Sequence, residues 1–324
     1  MNDREKLRRF LENGAPTPVQ MIRSFRKTDS ATLTEKSKEE PLLTVDAPDS
    51  SNTFPAYTGK NPIVKKIRNY LANHPHPALS AALIHGSIAV GEENGYSDFD
   101  GILIAEGSLL RSAVEKKAFR KVIQTTNRLM LEQDALQHHG WQVVFTEELR
   151  SNEIHTIVPG VWKTCRCFYP EHPPRIPIPR TTRMDFKEMF RRLSDSISRK
   201  MGRQERFNDQ YFFKNLCSEI LLLPSLYLQS TGHILIEKKE SFRIIVDHFS
   251  MEELRPLLKV SSWRERWSQR KKSVRTDLFH RLKRQGIYLS VLSPKTQPEI
   301  LAEAVGTWPE EMNSLIKLMN LRSG

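Results

Sequence analysis

The sequence predicts an α+β chain in which a small mixed-sheet domain is followed by a helical domain. Three observations carry that expectation. Short apolar runs at Leu79–Ile84, Gly101–Ala105 and Trp141–Phe145 have strand length and are separated by stretches with helical spacing. A proline-rich piece from Pro170 to Pro179 (PEHPPRIPIP) then interrupts both patterns. Beyond it only helical periodicity remains. The expected division is a flexible arm and linker over 1–58, the mixed-sheet domain over 59–170 and the helical domain over 171–324.

The elements follow in order. Residues 28–57 are rich in Ser, Thr, Asp, Glu and Pro and hold few large apolar groups, too few to offset the entropy of ordering. Order is expected to begin near Asn61. From Pro62 to Asn73, Ile63, Val64, Ile67 and Leu71 share one helical face. The strand Leu79–Ile84 runs into His85-Gly86-Ser87. A turn or short helix through Gly91 and Gly95 leads to Ser97-Asp98-Phe99-Asp100 and the second strand. A long helix is expected over 109–137, the third strand over Trp141–Phe145, and a helix opening at Thr146-Glu147-Glu148. Thr156 to Phe168 has further strand character. In the helical domain the expected helices are Thr182–Met201, Asp209–Gln229 (kinked or ended by Pro224), Glu237–Phe249, Ser262–Gln285 and Pro309–Leu321.

Composition bounds the class of function. At 324 residues the chain has room for two domains of ordinary size. A hydrophobic fraction of 38% and a charged fraction of 27% suit a soluble globular protein. No apolar run has the length needed to cross a bilayer, and MNDREKLRRF lacks a signal-peptide core, so a cytoplasmic protein without a membrane partner is expected. The three cysteines, Cys165, Cys167 and Cys217, are too few for a disulfide framework. Cys165 and Cys167 read as one buried strand face, because no second pair or histidine cluster completes a zinc site. The net charge of +12 favours polyanionic partners such as RNA, DNA or nucleotide phosphates.

The chemistry concentrates in two short motifs. Asp98 and Asp100 are two apart at the start of a strand, so their carboxylates point to the same side. Like charges held so close repel unless a cation sits between them. Magnesium suits that place, since it binds through one or two carboxylates plus phosphate oxygens. Gly86-Ser87 follows the neighbouring strand at the start of a short helix. There backbone N–H groups and the serine hydroxyl can hold a phosphate, and glycine permits close approach.

Taken together, ALIHGSIAVGEENGYSDFDGILI resembles the signature of the DNA polymerase β-like nucleotidyltransferase superfamily. The Gly-Tyr-Ser-Asp-Phe-Asp ending is most like the branch of aminoglycoside and minimal nucleotidyltransferases. The resemblance is strongest over residues 79–105, weaker over 106–150, and fainter again over Phe212 to Val246. It implies that Asp98 and Asp100 are catalytic residues that hold Mg2+ or Mn2+, while Gly86 and Ser87 bind the nucleotide. It also implies the reaction: a nucleoside monophosphate, AMP from ATP, moves to a hydroxyl with release of pyrophosphate. The implied partners are a nucleoside triphosphate and a small-molecule hydroxyl acceptor, or an RNA or protein acceptor.

One part of the family pattern is missing. Active members carry a third acidic residue on the following strand, and the corresponding position here is Gln142. A glutamine amide accepts a hydrogen bond but is no general base at neutral pH. Three alternatives stay open: Glu147, Glu148 or another acid fills the role, the site works with two carboxylates, or the fold is degenerate and only binds nucleotide or RNA.

Two further features have a functional and a plain reading. The segment Ser262–Gln285 holds Arg264, Arg266, Arg270, Lys271, Lys272, Arg275, Arg281, Lys283 and Arg284, with Trp263 and Trp267 on one helical face. It is either a nucleic-acid-binding helix or a solvated helix anchored by its tryptophans. Lys214, Lys238 or Lys239 could neutralise triphosphate charge, although each is also an ordinary surface lysine. His138-His139 is read as structural.

Overall fold

The computed structural model describes residues 54–94, 96–133, 136–137, 140–150, 157, 159–171, 183–232, 236, 238–267, 277–279, 281–282 and 289–323. Its described residues form two units, one of 54–171 with those of 277–292, the other of 183–267 with 293–323. The expectations for the arm up to residue 53, Gly95, His138-His139, most of the proline-rich piece and residues 268–276 of the basic run lie outside the described residues. The architecture is α+β, with a small mixed sheet and a preponderance of helices.

In the first unit, helix α1 (Pro62–Asn73) begins where the Asn61 side chain accepts the N–H groups of Ile63 at 2.9 Å and Val64 at 3.2 Å. Pro62 stands at the first helical position, where no donor is needed. There follow β1 (Leu79–His85), α2 (Gly86–Val90), β2 (Asp100–Ala105), α3 (Ala113–Met130), β3 (Gln142–Phe145), α4 (Thr146–Arg150), α5 (Pro159–Thr164) and β4 (Arg166–Tyr169). The sheet order is β3-β2-β1-β4. Strand β1 is antiparallel to β2 and β4, whereas β2 and β3 are parallel. A parallel pair needs a long crossover, and α3 provides it.

Strand alternation sorts the apolar residues to two faces. Ala82, Ile84, Leu103 and Val143 bury with the apolar sides of α1 and α3. Ala81, Leu83, Ile102, Ile104 and Val144 bury with Trp162, Cys165 and Cys167. Because both faces are covered, the strands read as continuous apolar runs in the sequence.

Three local expectations are corrected. Packing reaches back into the expected linker: Phe54 and Tyr57 are buried, and Cys167 exchanges backbone hydrogen bonds with Tyr57 (2.7 Å) and Pro55 (2.8 Å). Two aromatic side chains and an edge strand with free backbone groups suffice to anchor this stretch. Strand structure begins only at Arg166, since Pro159–Thr164 is helical with its proline at the first position. The long helix starts at Ala113, not 109, because Ser112 and Glu115 form a reciprocal capping box there, and it ends at Met130.

The second unit is helical: α6 (Arg183–Met201), α7 (Gln210–Ile220), α8 (Leu223–Ser230), α9 (Lys238–Ile244), α10 (Met251–Arg266), α11 (Pro298–Ala304) and α12 (Trp308–Ser323). Pro224 separates α7 from α8 by standing in the first turn of the new helix. Phe213, Trp263 and Trp308 form the aromatic centre, with ring centroids 5.5 Å apart for Phe213–Trp263 and 4.7 Å for Trp263–Trp308. The expected helix from Ser262 is corrected as well. Its first residues are the end of α10, which starts at the Ser250–Glu253 capping box and stops at Arg266. Trp263 and Trp267 are buried, so the tryptophans anchor the helix to its core. No helix among the described residues is long and apolar enough to cross a membrane.

Candidate active site

The site grows out of the antiparallel pairing of β1 and β2, whose last register pair is His85 opposite Asp100. Immediately after His85 the chain turns sharply, and Gly86 takes φ 68°. A side chain is disfavoured there twice over. The left-handed backbone suits glycine, and a Cβ would lie 2.6 Å from Asp100 Oδ2. The carboxylate of Asp100 thus lies directly against the bare Cα of Gly86. The Gly-Ser turn and the second aspartate, well separated in sequence, form one structural unit.

Helix α2 opens at Gly86-Ser87, and no side chain caps its N-terminus. Its first N–H groups are of the kind that hold anions. The connector to β2 is a self-bonded turn. Asn94 Oδ1 accepts the N–H of Tyr96 at 3.0 Å, Ser97 Oγ accepts the N–H of Asn94 at 2.9 Å, and Ser97 N–H donates to the Asn94 carbonyl at 3.0 Å. This turn delivers Asp98, which is 8% exposed.

Between the aspartates, Phe99 is fully buried, with its ring edge-on to Trp141 at 5.7 Å and to Phe168 at 6.5 Å. Asp100 is the first residue of β2 and Asp98 lies two before it, the spacing that in extended backbone sets two side chains on the side away from the residue between them. Gly101 continues the motif for a packing reason, since a Cβ there would meet the Trp141 ring at 2.4 Å. Phe99's backbone is held as well: Gln137 Oε1 accepts its N–H at 2.8 Å, and Gln137 Nε2 donates to its carbonyl at 2.9 Å.

Gln142 begins β3 opposite Ile102. Ile102 is two residues along from Asp100, so Gln142 stands on the aspartate face of the sheet. Its Oε1 is buried and has no hydrogen-bond partner. Glu147 and Glu148 lie elsewhere. Glu147 accepts the N–H groups of Gly107 at 3.2 Å and Ser108 at 2.7 Å, beyond the far end of β2. From Asp100 to Ala105 the strand runs five steps of about 3.3 Å, so neither acid shares the end of the sheet that holds the aspartates. Burial pushes the Glu147 carboxyl up, but the N–H groups it accepts outweigh this and hold it below the usual range. Glu148 is buried and accepts the N–H of Phe145 at 3.2 Å. Both acids are structural in their positions.

His85 completes the inner edge. Desolvation lowers its imidazole to about 4. Sequence reasoning did not single out His85, although its place at the end of an apolar run, in phase with Leu83, is a usable signal. Gln137 had no such signal, because a lone glutamine after a helix looks like any loop residue. In the helical unit, Lys214 is fully buried on α7 and Lys239 is exposed on α9. Cys167 donates through Sγ to the Tyr169 carbonyl at 3.3 Å, and burial raises its thiol to about 11. Cys165 is pushed up by burial too, and neither thiol is poised as a ligand.

Two carboxylates two residues apart are hard oxygen donors of the kind that a magnesium-class cation takes together with phosphate oxygens. Among the described residues no group of three or more His, Cys, Asp or Glu could hold a metal by itself.

No protein-family model matches the sequence, and no curated protein matches it either. Among solved structures, the chain is similar to a spectinomycin adenyltransferase from Enterococcus faecialis, determined with ATP and spectinomycin. The TM-score is 0.44 and the identity 13%, over 81% of this chain and 98% of that one.

Proposed function

We propose that this chain is a metal-dependent nucleotidyltransferase that moves a nucleoside monophosphate, AMP from ATP, to a hydroxyl acceptor with release of pyrophosphate. The observation that carries the reading is the contact of the Asp100 carboxylate with Gly86 at the head of α2. It brings a carboxylate pair and an anion-binding turn to one place, which is what a magnesium–triphosphate ligand needs. In this reading Asp98 and Asp100 hold Mg2+ or Mn2+, and Gly86 and Ser87 hold the distal phosphates through backbone N–H groups and the serine hydroxyl. The bound cation would supply Lewis-acid stabilisation of phosphoryl charge. The hydroxyl oxygen of the acceptor attacks the α-phosphorus and gives up its proton to water, the bond to the bridging oxygen breaks, and pyrophosphate departs with that electron pair.

A second reading has its own observation in favour. Gln142 occupies the aspartate face where an acid is expected, and Glu147 and Glu148 are at the other end of the strands. A chain with no base beside the acceptor hydroxyl could bind nucleotide or RNA without transferring anything.

One experiment separates the two. The full chain is incubated with labelled nucleoside triphosphates, Mg2+ or Mn2+, and a cell extract, and label is followed into small molecules, RNA and protein. Transfer is expected with the wild type and is expected to vanish in Asp98→Asn with Asp100→Asn. Gln142→Glu should raise it, since general-base assistance is worth about a hundredfold or more. Tight nucleotide binding with no transfer in the wild type or in Gln142→Glu favours the binding protein. Nucleotide affinity unchanged by the double aspartate variant removes Asp98 and Asp100 from the binding site and sinks the metal-dependent transferase reading.

A further inference from the structure

We propose that Gln137 is a positioning residue for the aspartate pair, acting through the Phe99 peptide and not on the ligand. The inference rests on reading Asp98 and Asp100 as metal ligands. Phe99 precedes Asp100, the first ladder residue of β2. Gln137 provides both partners that a neighbouring strand would otherwise provide. Its carbonyl oxygen takes the Phe99 N–H at 2.8 Å and its amide donates to the Phe99 carbonyl at 2.9 Å. Gln137 is only 6% exposed, so the two bonds are sheltered from water. The Phe99 ring is held independently, against Trp141 and Phe168.

The chemical need for such a clasp follows from the charges. Two like charges two residues apart repel, and where they sit is set by the aspartates' own side-chain torsions together with the backbone torsions on either side of Phe99. With ring and backbone both held, the backbone share of that freedom is removed, so the pair has less left to order when a cation binds. The clasp therefore lowers the reorganisation that metal binding would otherwise demand. No other common side chain of this length carries both a neutral donor and a neutral acceptor at its end. Glutamate would lose the donor and place a third charge beside the pair, whereas methionine would lose both bonds at similar volume.

The test is Mn2+ titration of the full chain, with free Mn2+ measured by its paramagnetic resonance and thermal unfolding run in parallel. Gln137→Met is expected to weaken Mn2+ binding by about tenfold or more. Gln137→Asn, which is too short to reach both Phe99 groups, should fall between and remains informative if the methionine variant folds poorly. The control is Thr126→Val, which removes the 2.7 Å bond from the Trp141 indole behind Phe99 and leaves the clasp intact. It should lower stability and keep wild-type Mn2+ affinity. In a background of Asp98→Asn with Asp100→Asn, adding Gln137→Met should change residual Mn2+ binding no further, the non-additivity expected of residues acting as one unit. Wild-type affinity in both Gln137 variants, or an equal loss in Thr126→Val, overturns the positioning role alone. Wild-type Mn2+ binding that survives the double aspartate substitution overturns the metal reading itself, and this inference with it.

Discussion

At the scale of single residues, Gly86 is constrained in two ways at once. Its φ of 68° and the 2.6 Å approach of Asp100 Oδ2 to any added Cβ act on the same atom. Gly86→Ala should therefore cost stability by about 1–2 kcal/mol from the left-handed backbone and also displace the Asp100 carboxylate. The expected result is loss of Mg2+-dependent nucleotide binding well beyond what the stability change explains, read by titration calorimetry below the unfolding range. Normal nucleotide affinity in a folded Gly86→Ala chain would show that the Gly86–Asp100 contact has no part in binding. Gly-Ser and Asp-x-Asp were legible in the sequence because each is a short local motif and the two follow in order around apolar runs. Gln137 was not, since its partner lies 38 residues away and a single amide leaves no periodic trace.

At the scale of elements, hydrophobic spacing placed most helices and strands, and the errors have definite causes. Phe54 and Tyr57 were submerged in a polar window, yet two aromatic rings anchor the stretch to the sheet edge. In the helical unit the run of basic residues drew attention from the Ser250–Glu253 box that starts α10. How α10 is tied to α11 gives a test with a sign. Arg266 and the Trp263 indole both donate to Glu303, at 2.7 Å from Arg266 Nη2 and 2.6 Å from Trp263. Those bonds, Arg266's first, hold the Glu303 carboxyl at about 2, below its usual 4.5. A carboxylate depressed by folding stabilises fully above the unfolded value, and the benefit is lost as pH falls from there through about 2. The side chain is partly exposed, so salt should weaken the effect. The Tm advantage of wild type over Glu303→Gln should hold from pH 6 to about pH 5 and shrink from there to pH 2.5. An advantage that stays constant over that range would assign it to packing.

For the whole molecule, the net charge of +12 is the property most open to experiment. If the acceptor is RNA, replacing Arg270, Lys271, Lys272 and Arg275 with Gln should lower RNA affinity and flatten its salt dependence. Each lost phosphate contact removes roughly one counterion from the slope. Nucleotide binding at Asp98 and Asp100 should be spared. Equal RNA affinity and an equal slope would mean that these charges are merely solvated. The change in periodicity near Pro170–Pro179 is where the sequence places its internal boundary. The return of the described residues of 277–292 to the first unit was not legible there, because membership of a unit depends on packing that a linear pattern does not record.

The α3 crossover between β2 and β3 also bears on how the site assembles during folding. Gly86 meets Asp100 across 14 residues of chain, whereas Gln137 meets Phe99 across 38. By loop-closure entropy alone, the longer connection costs about 0.9 kcal/mol more to close. The strand pair that carries Gly86 and Asp100 is thus the cheaper contact to form, and the segment beyond α3 closes over residues already side by side. Damage to the crossover would then leave a chain that still forms the β1–β2 pairing, with its aspartates adjacent but unclasped.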